Sequence, residues 1–282
     1  MKTILLPTDF SPNARNALYT ALKLFRNKAC RFILLNTFEP DLINVLGDQG
    51  ERRLGMIYES LEAESRAKMK ELLLELSSQR IYSNYEFKIK SIPGDLISEV
   101  KKQLTKECVD LIVMGTKGAT GAERLFMGSN TVRMITHISN CPVLAVPRAY
   151  DFQHLQRALL PTGFEHYYEP FMLQPLLDLI GLWKAEIHVV YAAKEFGLNP
   201  TQVSQKKLLE KQLETQETVF TEARLQTTVS DAIRDYADTS RAELIALVRH
   251  KHSFLEALTK EKVVKRIAFD THIPLLILPR KV

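Results

Sequence analysis

The chain has 282 residues, of which 45% are hydrophobic, 25% charged and 8% aromatic. This suits one large domain or two of ordinary size, and it excludes a mostly disordered or collagen-like chain. The formal charge of +5, from 38 basic and 33 acidic residues, is mild and dispersed and does not predict nucleic-acid binding.

The opening residues 1–7 (MKTILLP) lack the length and cleavage site of a secretory signal. No apolar run approaches the roughly 18 residues that cross a bilayer. A soluble cytoplasmic protein without a membrane partner is therefore expected. The cysteines Cys30, Cys108 and Cys141 form no CxxC pair, so buried free thiols are expected rather than disulfides or a zinc knuckle.

In chain order, apolar runs at 3–6, 31–37, 85–91, 111–114 and 143–146 read as strands. Several are continuous rather than alternating, as in strands covered on both faces. Helical patterns lie between them at 11–24, 53–79, 95–106 and 131–138. Ser11-Pro12 is a good helix start, and Leu96, Ile97, Val100 and Leu104 recur at helical spacing. Further on, 158–160, 186–191, 222–227, 244–248 and 275–278 read as strands, and 170–182 and 202–219 as helices. Strands alternating with helices imply a parallel sheet with right-handed crossovers.

The chain also repeats itself. KTILLPTDF at 2–10 returns as RALLPTGF at 157–164, and CPVLAVPR at 141–148 returns as IPLLILPR at 273–280. Two α/β domains are expected, with the seam near residues 149–152 and little linker. The second copy is the shorter.

Ligands of parallel sheets gather beyond the carboxyl ends of the strands. Two segments carry suitable residues there. Pro7-Thr8-Asp9-Phe10-Ser11 follows the first strand. Met114-Gly115-Thr116-Lys117-Gly118 follows the fourth and leads to Gly128-Ser129-Asn130. Gly115 and Gly118 are expected to turn with positive φ and let the backbone approach a ligand. Gly128-Ser129 opens a helix whose free N–H groups suit a phosphate. The pattern is neither a Walker A loop nor GxGxxG. Taken alone, the glycines make a tight loop, Ser129 caps a helix, and Asp9 serves the helix that starts at Ser11. The combination points to a site.

The pattern Gly115-x2-Gly118-x9-Gly128-Ser129 resembles the nucleotide-binding signature of the universal stress protein family. Residues 6–11 resemble its opening motif, 141–146 its closing strand, and Ile92-Pro93-Gly94 also fits. The resemblance covers the first copy from end to end and the opening and closing phrases of the second. It implies two tandem Rossmann-like domains, each with a five-stranded parallel sheet in the order 3-2-1-4-5 flanked by helices. It also implies ATP with an accompanying Mg ion. Pro7, Thr8 and Asp9 would then border the adenosine, and Thr37 would contact adenine through its backbone. Met114 and Gly115 would flank the ribose, and Gly118, Gly128, Ser129 and Asn130 would hold the phosphates. Asn36 stands where the family often has His.

The second copy departs from this pattern. Gly163 replaces Asp9, Val248-Arg249-His250-Lys251-His252 replaces the glycine turn, and Thr259-Lys260-Glu261-Lys262 replaces Gly-Ser. The expected organisation is an ATP-binding domain at 1–149 and a degenerate domain at 150–282. The two would pack as an intramolecular pseudo-dimer in place of a homodimer, with further self-association plausible. The expected function is a cytoplasmic ATP-binding stress-response sensor or regulator. A slow ATPase and a nucleotide-independent scaffold are the alternatives. Asp9 is the only evident carboxylate and no clear base is present, so no catalytic residue is assigned.

Overall fold

The structure, a computed structural model, describes residues 1–40, 50–78, 84–116, 128–192, 197–223, 228–248 and 272–280. The first half runs β1 (Lys2–Pro7), α1 (Pro12–Leu24), β2 (Cys30–Phe38), α2 (Gly50–Ser77), β3 (Tyr85–Pro93), α3 (Leu96–Glu107), β4 (Leu111–Gly115), α4 (Ser129–His137) and β5 (Val143–Val146). The second runs β6 (Arg157–Thr162), α5 (Pro170–Trp183), β7 (Glu186–Ala192), α6 (Pro200–Gln212), β8 (Thr218–Ala223), α7 (Val229–Ser240), β9 (Leu244–Val248) and β10 (Leu275–Leu278).

All ten strands join in one sheet, ordered β3-β2-β1-β4-β5-β10-β9-β6-β7-β8. Each half therefore has the order 3-2-1-4-5, and every pairing within a half is parallel. The halves meet through the antiparallel pair β5–β10, where Leu144 faces Leu276, its counterpart in the repeat. Antiparallel contact between equivalent strands is what a local two-fold relation produces.

The strands form because their apolar runs are long enough to be covered on both faces. Ile4, Phe32, Leu34, Val113, Leu160 and Leu276 belong to the core on one face, under α1, α2, α5 and α6. Leu5, Ile33, Ile112, Val143, Leu159 and Ile277 belong to the other, under α3, α4 and α7. Both cores run through both halves. Each fully buried large apolar side chain contributes about 1.5–3 kcal/mol. The Lys23–Asp151 ion pair at the seam is exposed and screened by solvent, so apolar packing dominates. At the seam the Trp183 ring meets Phe152 edge-on at 5.1 Å, and its indole N–H donates to the Leu24 carbonyl at 2.9 Å. Asn16 Nδ2 donates to the Tyr150 carbonyl at 2.7 Å, which pins the connection between the halves.

The repeat persists at the level of single hydrogen bonds. Thr3 N donates to Asp110 Oδ2 at 2.7 Å, and Arg157 N donates to Glu243 Oε2 at 2.8 Å. Ile112 N reaches the Pro142 carbonyl, and Ile245 N the Pro274 carbonyl, both at 3.0 Å.

Three expectations are corrected. The helix expected at 202–219 ends at Gln212, because the Thr-Val-Phe-Thr run at 218–221 suits an edge strand better than a helix. The last strand of that region is accordingly Thr218–Ala223 rather than 222–227, of which 224–227 lie outside the described residues. Cys108 is exposed at the left-handed cap of α3 (φ 48°), while Cys30 and Cys141 are buried as expected. The helix α7 was not anticipated from the sequence pattern.

Candidate functional site

The chain leaves β1 in a tightly bonded turn. Thr8 N donates to the Leu35 carbonyl at 2.8 Å, and Asn36 Nδ2 donates to the Thr8 carbonyl at 2.7 Å. Phe10 takes a left-handed conformation (φ 62°), and its N–H is accepted by Thr8 Oγ1 at 3.0 Å. A bulky residue there is strained and persists only where its surroundings fix it. Asp9 Oδ1 accepts from Ser11 N at 3.0 Å. Ser11 in turn caps α1 by accepting from Ala14 N, with Pro12 in the first turn. Asp9 thus shapes the turn as well as facing the cleft beyond it.

Gly115 ends β4, and its role differs from the expected one. Positive φ among the described glycines occurs at Gly94 and Gly197, not at Gly115. The missing side chain is needed for close packing instead. A Cβ at Gly115 would lie 2.3 Å from Asn13 Nδ2 and 2.9 Å from the Asn13 carbonyl oxygen. Thr131 Oγ1 donates to the Gly115 carbonyl at 2.9 Å, and Gly128 N donates to the Thr116 carbonyl at 2.6 Å. These bonds tie the start of α4 to the end of β4. Gly128 caps α4 without any side-chain acceptor, so the helix start keeps its donor character toward the cleft.

These segments enclose a cleft of about 280 Å³, near the ~300 Å³ lower bound of small-molecule sites. Nine of the ten residues singled out from the sequence line it: Pro7, Thr8, Asp9, Thr37, Met114, Gly115, Gly128, Ser129 and Asn130. Gly118 lies outside the described residues, with the rest of 117–127. Ala14, Asn36, Leu96 and Thr131 complete the lining. Pro7, Ala14, Leu96 and Met114 make an apolar wall. The rest of the lining is polar: hydroxyls, the Asn36 and Asn130 carboxamides, the Asp9 carboxylate and the start of α4.

Asn36 belongs to a buried polar chain beneath the cleft. Its Oδ1 accepts from Ser65 Oγ of α2 at 2.7 Å, and Ser65 is also bonded to Ser91 of β3. The sequence marks Asn36 only as a departure from a common His. Its partners Thr8 and Ser65 stand 28 and 29 residues away, separations that no local pattern connects.

At the rim, Asp95 caps α3 by accepting from Ser98 N at 3.0 Å and accepts from Arg133 of α4. The Arg133 guanidinium and the Ser98 N–H hold the Asp95 carboxyl down at about 2. The whole +5 formal charge resides in residues 1–149, with 21 basic and 16 acidic, while 150–282 carry 17 of each. The half with the cleft is the one that favours an anion.

The second half keeps the same turn but fills it. Phe164 repeats the left-handed conformation (φ 51°), with its N–H accepted by Thr162 Oγ1 at 3.0 Å. By strand register Tyr191 takes the place of Asn36, and its ring stacks on Phe164 at 5.5 Å. Gln202 Nε2 donates to the Gly163 carbonyl at 2.9 Å. Val248, buried, takes the place of Gly115. The replaced loop at 249–271, with His250, His252 and Lys260, lies outside the described residues.

A largely parallel sheet with a cleft between its first and fourth strands and a Gly-Ser helix start defines the class. The family model for the universal stress protein family matches residues 1–147, and the chain belongs to that family. It is 34% identical over 162 residues to Universal stress protein MJ0577 of Methanocaldococcus jannaschii, covering 52% of this chain and 95% of that protein. To Universal stress protein MJ0531 of the same organism it is 29% identical over 147 residues, covering 52% and 82%. A universal stress protein from Archaeoglobus fulgidus shares the fold over both halves (TM-score 0.66, 15% identity, 99% of this chain and 96% of that chain). No helix among the described residues is long and apolar enough to cross a membrane.

Proposed function

We propose that residues 1–149 form a domain that binds ATP in the cleft between β1 and β4. Residues 150–282 form a degenerate domain that does not bind it in the same way. The meeting of four separate chain segments, 7–9, 37, 114–115 and 128–130, at one cleft carries this reading. The apolar wall of Pro7, Ala14, Leu96 and Met114 suits a base and ribose, with Thr37 at the end of β2 offering backbone contacts. Ser129, Asn130 and the start of α4 suit the phosphates, joined by Gly118 from the intervening loop.

Magnesium fits as a companion of the triphosphate rather than as a resident ion. The lining offers one carboxylate, Asp9, already bonded to Ser11 N, beside the Ser129 hydroxyl and the Asn130 carboxamide. Such a set leaves most of the coordination to phosphate oxygens and water. The protein would supply binding and orientation. In this reading Asp9 borders the adenosine rather than the terminal phosphate, and no other carboxylate is among the described lining residues, which favours a cytoplasmic sensor or regulator over an ATPase. The β5–β10 seam supports the reading that the second half stands where a partner subunit would stand in a single-domain relative.

Isothermal titration of the full chain with ATP and Mg, beside a turnover assay, tests this. Micromolar binding at one site per chain without turnover is expected. Rapid ADP production would replace the sensor with an enzyme, and no binding at millimolar ATP would leave a scaffold. Gly128→Val is expected to block binding with the fold retained.

A further inference from the structure

The cleft read above as a triphosphate site has one charged lining residue among those described, the carboxylate of Asp9, and no cation. A Mg-bound triphosphate remains anionic, and the helix start supplies only about half a positive charge. Arg133 stands one turn into α4. Helical side chains lean toward the N-terminus, which carries its guanidinium back over the turn that contains Asn130. There Arg133 Nη1 donates to Asn130 Oδ1 at 3.5 Å, and Nη2 donates to Asp95. Asn130 lines the cleft, and Asp95 precedes Leu96, which also lines it. The guanidinium is thus held at the rim between two wall segments, and its side chain remains 45% exposed.

A guanidinium has five donors and no acceptor, so Arg133 keeps free donors after these bonds. For the same reason it turns the Asn130 carboxamide oxygen toward itself. That leaves the Asn130 NH₂ as the group available to an anion. The Asp95 carboxylate occupies Arg133 in the way a phosphate would, because both accept from the same planar fork.

We propose that Arg133 recognises the terminal phosphates of the bound nucleotide, exchanging Asp95 for phosphate oxygens, and so makes the cleft selective for triphosphate over adenosine. This rests on the nucleotide reading of the cleft. It assigns Arg133 a ligand contact in place of a purely structural tie between α3 and α4.

The test is titration of the full chain with adenosine and with ATP plus Mg, using wild type, Arg133→Gln and Asp95→Asn, with thermal melts to verify folding. Arg133→Gln should weaken ATP by about tenfold or more and leave adenosine within about twofold. Asp95→Asn retains a good helix cap while removing the competing charge, so ATP should bind several-fold more tightly. Equal losses for adenosine and ATP in Arg133→Gln, or no loss for either, would overturn the assignment. Weaker ATP binding in Asp95→Asn would overturn the exchange. If the wild-type chain binds neither ligand, the nucleotide reading itself fails. If it binds both and Arg133→Gln changes nothing, only this inference fails.

Discussion

The two halves share a strand order, an opening turn and even individual backbone bonds, yet differ at the cleft. Thr8 and Thr162 hold the same left-handed phenylalanine turn, and Asp110 and Glu243 brace the same strand end. Among the described residues the divergence lies in side chains at three equivalent positions: Asp9 against Gly163, Asn36 against Tyr191, and Gly115 against Val248. The backbone is conserved between the halves because the core on both sheet faces depends on it. The cleft is free to change at these positions because Asp9, Asn36 and Gly115 belong to neither core. In the second half Tyr191 and Phe164 use the space for packing, and Gln202 bonds the Gly163 carbonyl.

Transplanting second-half residues into the first tests this account, and Gly115→Val should have the largest effect. Its Cβ would meet the Asn13 carboxamide at 2.3 Å and the Asn13 backbone oxygen at 2.9 Å. The backbone oxygen cannot move aside as a flexible side chain can, so α1 must shift. Overpacking of this kind costs about 1–3 kcal/mol. Nucleotide binding should be lost, and the melting temperature should fall by several degrees. An unchanged titration with ATP would mean that Gly115 does not shape the site. Asn36→Tyr is the next in size. It removes the donor to the Thr8 carbonyl, takes away the Oδ1 that accepts from Ser65, and puts a ring into the cleft lining. Binding should weaken at least tenfold, with a stability loss of about 1–3 kcal/mol for the disrupted buried network. Ser65→Ala, which removes both serine bonds but keeps the Asn36–Thr8 bond and adds no ring, should cost less in both measurements.

The strands were the legible part of this chain, because continuous apolar runs such as 32–35 and 111–114 carry their burial in their composition. So was the cleft's outline, since Pro7-Thr8-Asp9 and Gly128-Ser129-Asn130 sit at strand and helix ends that the topology must bring together. Contacts between distant residues were not legible. Gly115 reads as a turn glycine, and only the structure shows Asn13 against it. Ser65 lies mid-helix with nothing to mark it, and its meaning comes from Asn36 and Ser91 across the sheet. The α6–β8 boundary was misplaced because Leu, Glu and Gln at 208–216 keep helical character past the cap at Leu213. Only tertiary pairing with β7 turns the following residues into a strand.

A smaller effect is the response to pH, and depressed carboxyls occur in both halves, Glu186 in the second being lowered by its bonds from His188 and Arg157. In the first half the Glu107 carboxyl is held down at about 2 by its bonds from Lys88 and Lys90, and Asp95 is held at about 2 by Arg133. A carboxyl depressed in the folded state stabilises fully above its ordinary value near 4. That contribution declines as pH falls through about 2. Glu107→Gln should therefore lower the melting temperature at pH 7 by a degree or two, and the difference from wild type should vanish near pH 2. A difference that persists unchanged to pH 2 would mean that packing, not charge, is what the substitution removes.

The least perturbing test asks whether halves so different at the cleft still open together. All three cysteines lie in the first half, and the single tryptophan, Trp183, lies in the second. Burial pushes the Cys30 thiol up to about 11 and the Cys141 thiol up to about 12, so neither offers thiolate while the fold is closed. Cys108 is exposed, and Cys108→Ser removes its background reaction. In that variant, labelling of Cys30 and Cys141 reports the opening of the first half. Trp183 fluorescence reports the second half and the seam where its indole meets Phe152 and the Leu24 carbonyl. Because both cores cross the β5–β10 junction, the two signals should share one midpoint in urea. Two midpoints would show that the junction joins the strands without coupling their stability, and the sheet would then be two cooperative units laid edge to edge.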